Sequence, residues 1–447
     1  MNLMATKITQ QSIVIVGLGQ TGLSCARFLT QKGFAVAIMD SREQPPALGI
    51  LQQEHPEIIV KTGGFDASWL QQADMIVLSP GVDPRDEAIE AAKQSGVEIV
   101  GDVELFARFS NAPIVAITGS NGKSTVTTLL AAMAGEAGKN CKIGGNLGTP
   151  SLDLISEPAP DFYIVELSSF QLETVSSLNA FVSTVLNISP DHMDRYNSTQ
   201  DYQNTKAKIY SGDGVMVINV DDAFVNQLSR QQRNTITFGL DADFSVITKQ
   251  GEQWLAEQGL PLIEVNKLKI IGKHNIDNAL AALALGSAMA LPMPAMLTAL
   301  QQYSGLPHRC RLVGANNGVR WFNDSKATNV GACIAAIEGL ANASDLILIA
   351  GGEAKDQDFS ELTATLQQHV RAVILLGQDA QLMAASIPQQ VELYFVTSLQ
   401  QAVSKAKEIA KAGDNVLLSP ACASFDMFSG YAERGDTFES LVKEQCL

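Results

Sequence analysis

From residue 12 to about residue 100 the chain alternates short β-branched runs with amphipathic stretches. Residues 13–16, Ile-Val-Ile-Val, read as a buried strand, residues 23–32 as a helix and residues 36–40 as a second strand. Residues 75–78 form another, stopped by Ser79-Pro80-Gly81. Strand–helix–strand alternation of this kind predicts a parallel sheet. A new region opens after Asn111-Ala112-Pro113 with a strand at 114–117, and further strands are expected at 162–167, 182–188 and 214–220. A more antiparallel stretch follows at 235–254, and an Ala/Leu-rich helix at 275–291. Near Tyr303-Ser304-Gly305-Leu306-Pro307 this region ends, and βα alternation resumes with strands at 319–322, 346–350, 373–376 and 416–418. The expectation is three domains, 1–104, 105–306 and 307–447.

Length agrees with that division, because 447 residues exceed what one hydrophobic core holds. With 46% hydrophobic and 17% charged residues, burial is ample and disorder is not the default. No apolar run approaches the roughly 18 to 20 residues of a membrane span. The opening Met1-Asn2-Leu3-Met4-Ala5-Thr6 lacks the basic-then-apolar layout of a signal peptide, so a cytoplasmic location is expected. Six cysteines, at 25, 141, 310, 333, 422 and 446, form no C-x-x-C pair, which leaves reduced thiols as the simplest reading. A net charge of −16 without any Lys/Arg cluster argues against nucleic acid as a partner. It leaves a polyanionic small substrate open, since helix N-termini and a few placed cations hold phosphates on acidic proteins.

Two glycine motifs carry the candidate chemistry. Gly17-Leu18-Gly19-Gln20-Thr21-Gly22 follows a strand, opens a helix and precedes Asp40 at the end of the next strand. That is the dinucleotide fingerprint in context, so a NAD-dependent dehydrogenase is a live reading of this segment. The physics is broader than the label: glycines admit a phosphate to the backbone, and the helix start supplies amide donors. A UDP-sugar would be served equally, and a bare strand-to-helix turn is the plain alternative. The second motif is Thr118-Gly119-Ser120-Asn121-Gly122-Lys123-Ser124-Thr125, again between a strand and a helix. Its amides would cradle phosphates, Lys123 would neutralise the γ-phosphate and Ser124 would reach Mg²⁺. Ile117 stands where the longer form of this motif has its first glycine.

Further along, Glu166 ends a strand and is placed like the acidic metal ligand beside a phosphate loop. His192 lies in Asp191-His192-Met193-Asp194-Arg195-Tyr196, just past an apolar strand, where parallel sheets face their ligands. The density of acid, imidazole and arginine there points to a second metal or phosphate site. On a helix Lys206 shares a face with Tyr202 and Tyr210, whereas Lys208 points roughly 200° away at about 100° per residue. Only one of these lysines faces a site, and spacing alone makes both ordinary surface residues.

These residues resemble the ATP-dependent Mur ligases, relatives of folylpolyglutamate synthase, over essentially the whole chain. The likeness runs through residues 119–125, Gly144-Gly145-Asn146-Leu147-Gly148 and Glu166-Leu167-Ser168-Ser169-Phe170-Gln171-Leu172. It continues in 191–196, His274-Asn275-Ile276-Asp277-Asn278 and Gly305-Leu306-Pro307-His308-Arg309. Residues 323–329, 351–355 and 418–426 look like the member that adds D-glutamate. The resemblance implies an α/β fold with a Rossmann-like N-terminal domain, a central phosphate-loop ATPase-like domain and a C-terminal dinucleotide-binding-like domain. It implies a monomeric ligase of peptidoglycan precursor synthesis that joins D-glutamate to UDP-N-acetylmuramoyl-L-alanine through an acyl phosphate, with ATP as substrate.

By the same resemblance two Mg²⁺ ions offset the repulsion between a carboxylate and a triphosphate. Ser124, Thr125 and Glu166 hold the first, and His192 the second together with Lys206 as a carbamate. Carbamylation turns a cation into an anion and needs a neutral amine, which burial favours. The catalytic set is then Lys123, Glu166, His192 and Lys206. ATP is expected at Gly119, Ser120, Asn121, Gly122, Lys123, Ser124 and Thr125, and at Asn275, Asn278, Arg309 and Asp324. The UDP substrate is expected at Gly19, Gln20, Thr21, Asp40, Ser41, Arg42, Ser79, Pro80, Gly81, Asn146 and Ser168. D-glutamate is expected at Lys326, Thr328, Lys355, Ser424 and Tyr431, cations suiting a dianionic amino acid. Three competing classes each leave residues idle. A dehydrogenase does not use the phosphate loop, a motor or transport ATPase does not use the third domain, and a UDP-sugar sensor needs neither Lys123 nor His192.

Overall fold

A computed structural model describes residues 12–189, 191, 193, 195–228, 233–270, 272–340, 345–354 and 357–447. Contacts divide the chain into two units, one of Met1–Ile188, Arg195–Asp243 and Ala282–Met296, the other of Ser189–Asp194, Phe244–Ala281 and Leu297–Leu447.

The first unit contains two parallel sheets. One has the strand order Ile59–Thr62, Ala35–Asp40, Ser12–Val16, Met75–Leu78, Glu98–Gly101, which is the order of a dinucleotide-binding fold with the sixth strand missing. The other runs Thr235–Phe238, Val215–Asn219, Val182–Val185, Ile114–Thr118, Phe162–Glu166, Cys141–Gly145. Strands buried on both faces read as continuous apolar runs, which is why Ile114–Thr118 and Met75–Leu78 are legible in the sequence. Ile13, Ile15, Ile38, Phe106, Tyr163 and Val165 belong to one continuous buried core beneath both sheets. Phe106 and Tyr163 meet edge to face at 5.2 Å within it. Burying six such side chains contributes on the order of 10 kcal/mol before chain entropy is set against it.

The strand Val182–Val185 ends earlier than residue 188, where the alternation predicts it to end. The reason is Asn187, which leaves the sheet to bond the loop at residues 119–122: its carbonyl accepts from Ser120 N–H at 2.9 Å and its Oδ1 from Asn121 N–H at 2.8 Å. The stretch expected to be antiparallel divides differently. Thr235–Phe238 pairs in parallel with Val215–Asn219.

Antiparallel pairing belongs to the second unit, in Phe244–Lys249, Glu252–Glu257 and Leu260–Glu264. The two hairpins turn on Gln250-Gly251 (φ 55° and 84°) and Gln258-Gly259 (φ 48° and 77°), positive at both positions as a type I′ turn requires. The same unit holds a sheet in the order Arg311–Asn316, Val319–Asn323, Asn415–Leu418, Leu346–Ala350, Val370–Leu375, Glu392–Phe395. Its first pair is antiparallel and the others are parallel.

Candidate active site

In the first unit the turn after Ser12–Val16 depends on two glycines. Gly17 has φ +98°, and a Cβ on Gly22 would lie 2.0 Å from the Gly17 carbonyl oxygen. The helix Gln20–Gln31 then starts from Gly19 with no side-chain cap and no acid in its first turn. Other helix starts do carry caps, such as Asp66, Asp86, Ser168 and Ser198. An uncapped start leaves amide donors for an anion.

A cleft of about 660 Å³ opens at this turn. The structure gathers Gly19, Gln20, Thr21, Asp40, Ser41, Arg42, Ser79, Pro80, Gly81, Asn146 and Ser168 around it, every residue expected at the UDP-substrate site. Asp40 is 1% exposed and its carboxylate is already engaged. It accepts from Leu18 N–H at 2.7 Å and from Arg42 Nε and Nη2 at 2.8 and 2.6 Å. Burial alone would raise its pKa, but the Arg42 and Leu18 bonds outweigh that and hold the carboxyl below its usual value. Asp40 therefore fixes the turn and aims Arg42, whose side chain stays 51% exposed.

Gln171 also lines this cleft and was not expected there. Its Oε1 accepts from Ser168 N–H at 3.1 Å while Ser168 Oγ accepts from Gln171 N–H, a capping box. The signal was present as Ser168-x-x-Gln171. Gln171 Nε2 donates to buried Asp102 at 3.1 Å, and burial pushes that carboxyl up to about 6 against this bond.

At the phosphate loop Gly119 has φ +153° and Gly122 φ +83°, and the helix Lys123–Glu136 again starts without a side-chain cap. Lys123 Nζ donates to the carbonyls of Gly119 at 2.8 Å and Ser120 at 2.9 Å. Lys206 Nζ donates to the same Gly119 carbonyl at 2.9 Å. Two lysine nitrogens thus converge on one oxygen of the loop. Lys206 is 1% exposed and stands 4.8 Å over the Tyr202 ring, whose hydroxyl is 3.1 Å from Ser120 Oγ. Lys208 points elsewhere and donates to the Glu173 carbonyl at 2.7 Å. Burial draws its pKa down. Arg195 is not aimed at a phosphate: it bonds Glu173 Oε2 at 2.5 Å and the Val82 carbonyl at 3.0 Å.

Glu166 is 2% exposed. Its Oε1 accepts from Asn146 Nδ2 at 2.7 Å, and its Oε2 is buried without a hydrogen-bond partner among the described residues. An orphaned carboxylate oxygen at the end of the strand next to the one that feeds the phosphate loop, together with the buried hydroxyl residues Ser124 and Thr125 at the start of that loop's helix, is a donor set suited to a hard divalent cation. Among the described residues no group of three His, Cys, Asp or Glu side chains gathers, so such an ion would take its remaining ligands from phosphates and water. Asn187, which clamps the loop, is a residue that sequence reasoning missed, because nothing local marks it.

His192 and Lys355 lie outside the described residues. In the second unit Asn275 and Asn278 stand at the start of the helix Lys273–Ala288, with Asn278 Nδ2 donating to Asn275 Oδ1 at 3.3 Å. Arg309 sits between two non-glycine residues of positive φ, His308 (61°) and Cys310 (48°), strain of the kind that clusters at functional loops. Asp324 ties that loop to the end of Val319–Asn323, accepting from Cys310 N–H at 3.0 Å and Ser419 Oγ at 2.8 Å. Burial pushes its carboxyl up to about 7 in spite of these bonds. Lys326 Nζ lies 4.0 Å over the Tyr431 ring. Ser424 is buried, and half-buried Thr328 donates its N–H to the Lys326 carbonyl at 2.8 Å.

Family models match three consecutive stretches: a Mur ligase MurD-like N-terminal domain at 11–101, a Mur ligase middle domain at 117–286 and a Mur ligase glutamate ligase domain at 308–422. The chain is 53% identical over 435 residues to a UDP-N-acetylmuramoylalanine–D-glutamate ligase of Nitrosococcus oceani, covering 96% of each. It is 49% identical over 437 residues to the ligase of the same description in Pseudomonas aeruginosa, covering 96% of this chain and 97% of that one. Among solved structures it shares its fold with a pseudomurein peptide ligase type C of Methanothermus fervidus (TM-score 0.63, 19% identity, 97% and 100% coverage). It shares it also with a UDP-N-acetylmuramate–alanine ligase of Thermotoga maritima (TM-score 0.61, 20% identity, 97% and 100% coverage). The chain belongs to the Mur ligase family.

Proposed function

We propose that this chain is the ATP-dependent ligase that joins D-glutamate to UDP-N-acetylmuramoyl-L-alanine in peptidoglycan precursor synthesis. The observation that carries this reading is the Asn146–Glu166 hydrogen bond of 2.7 Å. Asn146 lines the cleft at the first glycine turn, and Glu166 lies in register with Ile117 on the strand that feeds the phosphate loop. A nucleotide substrate at one turn and ATP at the other would therefore bring their reacting ends toward the same residue pair. The substrate class comes from full-length relatives that carry this name, and so does the D configuration of the amino acid.

The substrate carboxylate attacks the γ-phosphorus of ATP, the bond to the β-phosphate oxygen breaks, and ADP leaves. The amine of D-glutamate then attacks the acyl carbon, losing a proton as phosphate departs and the amide forms. Backbone amides at residues 119–125 and Lys123 orient and neutralise the triphosphate. Asn275, Asn278, Arg309 and Asp324 are proposed as contacts of the adenine nucleotide. Lys326, Thr328, Lys355, Ser424 and Tyr431 are proposed for D-glutamate. Ser124, Thr125 and Glu166 would hold one Mg²⁺, and His192 with carbamylated Lys206 a second; these ions would supply positive charge between two anionic reactants. We further propose the division 1–104, 105–306 and 307–447, a monomeric state and a cytoplasmic location. No helix among the described residues is long and apolar enough to cross a membrane.

Phosphate release from ATP with UDP-N-acetylmuramoyl-L-alanine, assayed across D-glutamate, L-alanine, L-lysine and meso-diaminopimelate, tests the reading. D-glutamate alone should support turnover. Equal release with any of the others moves the protein elsewhere in its family.

A further inference from the structure

Arg434 occupies the first turn of the helix Tyr431–Gln445 and is 3% exposed. Its guanidinium joins segments distant in sequence. Nε donates to Ser325 Oγ at 2.9 Å and Nη2 to the Ser325 carbonyl at 2.8 Å. Nη1 donates to the carbonyls of Cys422 and Ala423, both at 3.2 Å, and Nη2 also reaches Cys422 at 3.2 Å. Ser325 Oγ in turn donates to the Tyr431 carbonyl at 2.8 Å. The residues next along the chain are Lys326 after Ser325 and Ser424 after Ala423. One side chain therefore stands behind three of the segments that supply the proposed amino-acid pocket.

The acceptors are what set Arg434 apart. Among the described residues all are carbonyl or hydroxyl oxygens, and none is a carboxylate. A buried cation held only by neutral dipoles is expensive unless an anion completes the site. Burial lowers the Arg434 pKa to about 10, so the group stays charged at neutral pH. Nearby Asp324 compensates it poorly, since burial pushes that carboxyl up to about 7. Asp426 is turned to the Gln378 amide at 2.9 Å. Lys326 adds a second positive charge, seated over Tyr431.

We propose that Arg434 is a positioning residue for the amino-acid substrate, which aligns Lys326, Ser424 and Tyr431 and whose buried charge is offset by the second carboxylate of the incoming dianion. The inference rests on the reading of this pocket as the D-glutamate site. It explains how the pocket selects charge as well as shape: a substrate with one carboxylate fewer leaves the buried guanidinium with only Asp324 and Asp426 to offset it, neither of them bonded to it among the described residues.

The test compares D-glutamate with D-glutamine, its side-chain amide, at saturating ATP and UDP-N-acetylmuramoyl-L-alanine in the full-length enzyme. Arg434→Gln should raise the KM for D-glutamate about tenfold or more and narrow the preference for D-glutamate over D-glutamine. The KM for the UDP substrate, whose cleft is built in the other unit, should move less than about twofold. Arg434→Lys keeps the charge with fewer donors, so kcat should fall while the preference survives. This second variant decides the matter if the first does not fold. A folded Gln variant with undiminished preference, or a folded Lys variant that loses it, overturns the proposal. A wild-type enzyme that prefers D-glutamate with unaltered preference in the Gln variant removes this inference alone. A wild type inactive with D-glutamate removes the reading of the pocket and the inference together.

Discussion

The turn at residues 17–22 and the loop at residues 119–125 are built on the same backbone plan, yet they present different charge. Both join a buried parallel strand to a helix that starts at a glycine without a side-chain cap. At the first, the available cation is Arg42, and Asp40 at the end of the adjacent strand already grips it by two bonds. That ensemble is close to neutral. At the second, Lys123 and Lys206 crowd one carbonyl oxygen, and the adjacent strand supplies Glu166 with an oxygen left over. Backbone geometry thus marks both as phosphate turns, and neighbouring strand ends decide which phosphate each suits. A pre-paired guanidinium fits a nucleotide diphosphate that is bound and kept. One cation, Lys123, with a spare carboxylate oxygen and Lys206 as the proposed carbamate, fits a triphosphate that arrives with metal and is cleaved.

The largest effect expected from this contrast is at Lys123. Lys123→Ala should lower phosphate release roughly a hundred- to thousandfold, the scale of losing one cation aimed at developing charge. Binding of the UDP substrate, measured by calorimetry, should be unchanged; a parallel loss of both would erase the distinction between the turns. Next is Lys206→Ala, expected to cost about a hundredfold in kcat and to be partly rescued by short carboxylates if a carbamate is the working form. Lys208→Ala, which removes the bond to the Glu173 carbonyl, should stay near the wild-type rate. If the two lysine variants exchange these outcomes, the wrong lysine has been assigned.

Arg42→Ala should raise the KM for the UDP substrate about tenfold, the worth of one charge-assisted contact, with the KM for ATP unmoved. An increase in the ATP KM instead would place ATP at the first turn. The smallest effect is on stability and concerns Asp102 behind the first cleft. Its folded pKa, about 6, is raised by burial, so the folded state holds this proton more tightly than the unfolded one. The stability it contributes is present below the unfolded pKa near 4 and is lost as pH rises through about 6. Asp102→Asn should therefore melt a few degrees higher than wild type at pH 7.5, and the gap should shrink at pH 5. A gap independent of pH removes the titration argument.

The strands legible in the sequence are those buried on both faces, such as Met75–Leu78 and Leu346–Ala350. Ile59–Thr62, Glu98–Gly101, Cys141–Gly145, Arg311–Asn316 and Glu392–Phe395 were not anticipated, and each is the end strand of its sheet in the order found. An end strand has one open flank, so Glu392–Phe395 and Arg311–Asn316 keep exposed positions that break the apolar run. The hairpins at Gln250-Gly251 and Gln258-Gly259 are hard to read from sequence for another reason. Glutamine seldom occupies a positive-φ position, so the turn signal rested on glycine alone.

What the sequence determined by itself is the chemistry carried by contiguous residues: the two glycine turns, Lys123 with Ser124, and the capping box at Ser168 and Gln171. Each is fixed by local backbone geometry, which neighbouring residues specify. Only the tertiary structure decided the rest. Lys206 reaches Gly119 across 87 positions of sequence, Asn187 clamps Asn121 across 66, and Arg434 binds Ser325 across 109. Such pairs follow from strand order, and strand order is a property of the whole sheet. Whether Glu166 keeps an unpartnered oxygen, or Asp324 its proton, follows from burial. Burial is set by everything packed around a residue, and no window of the sequence contains that.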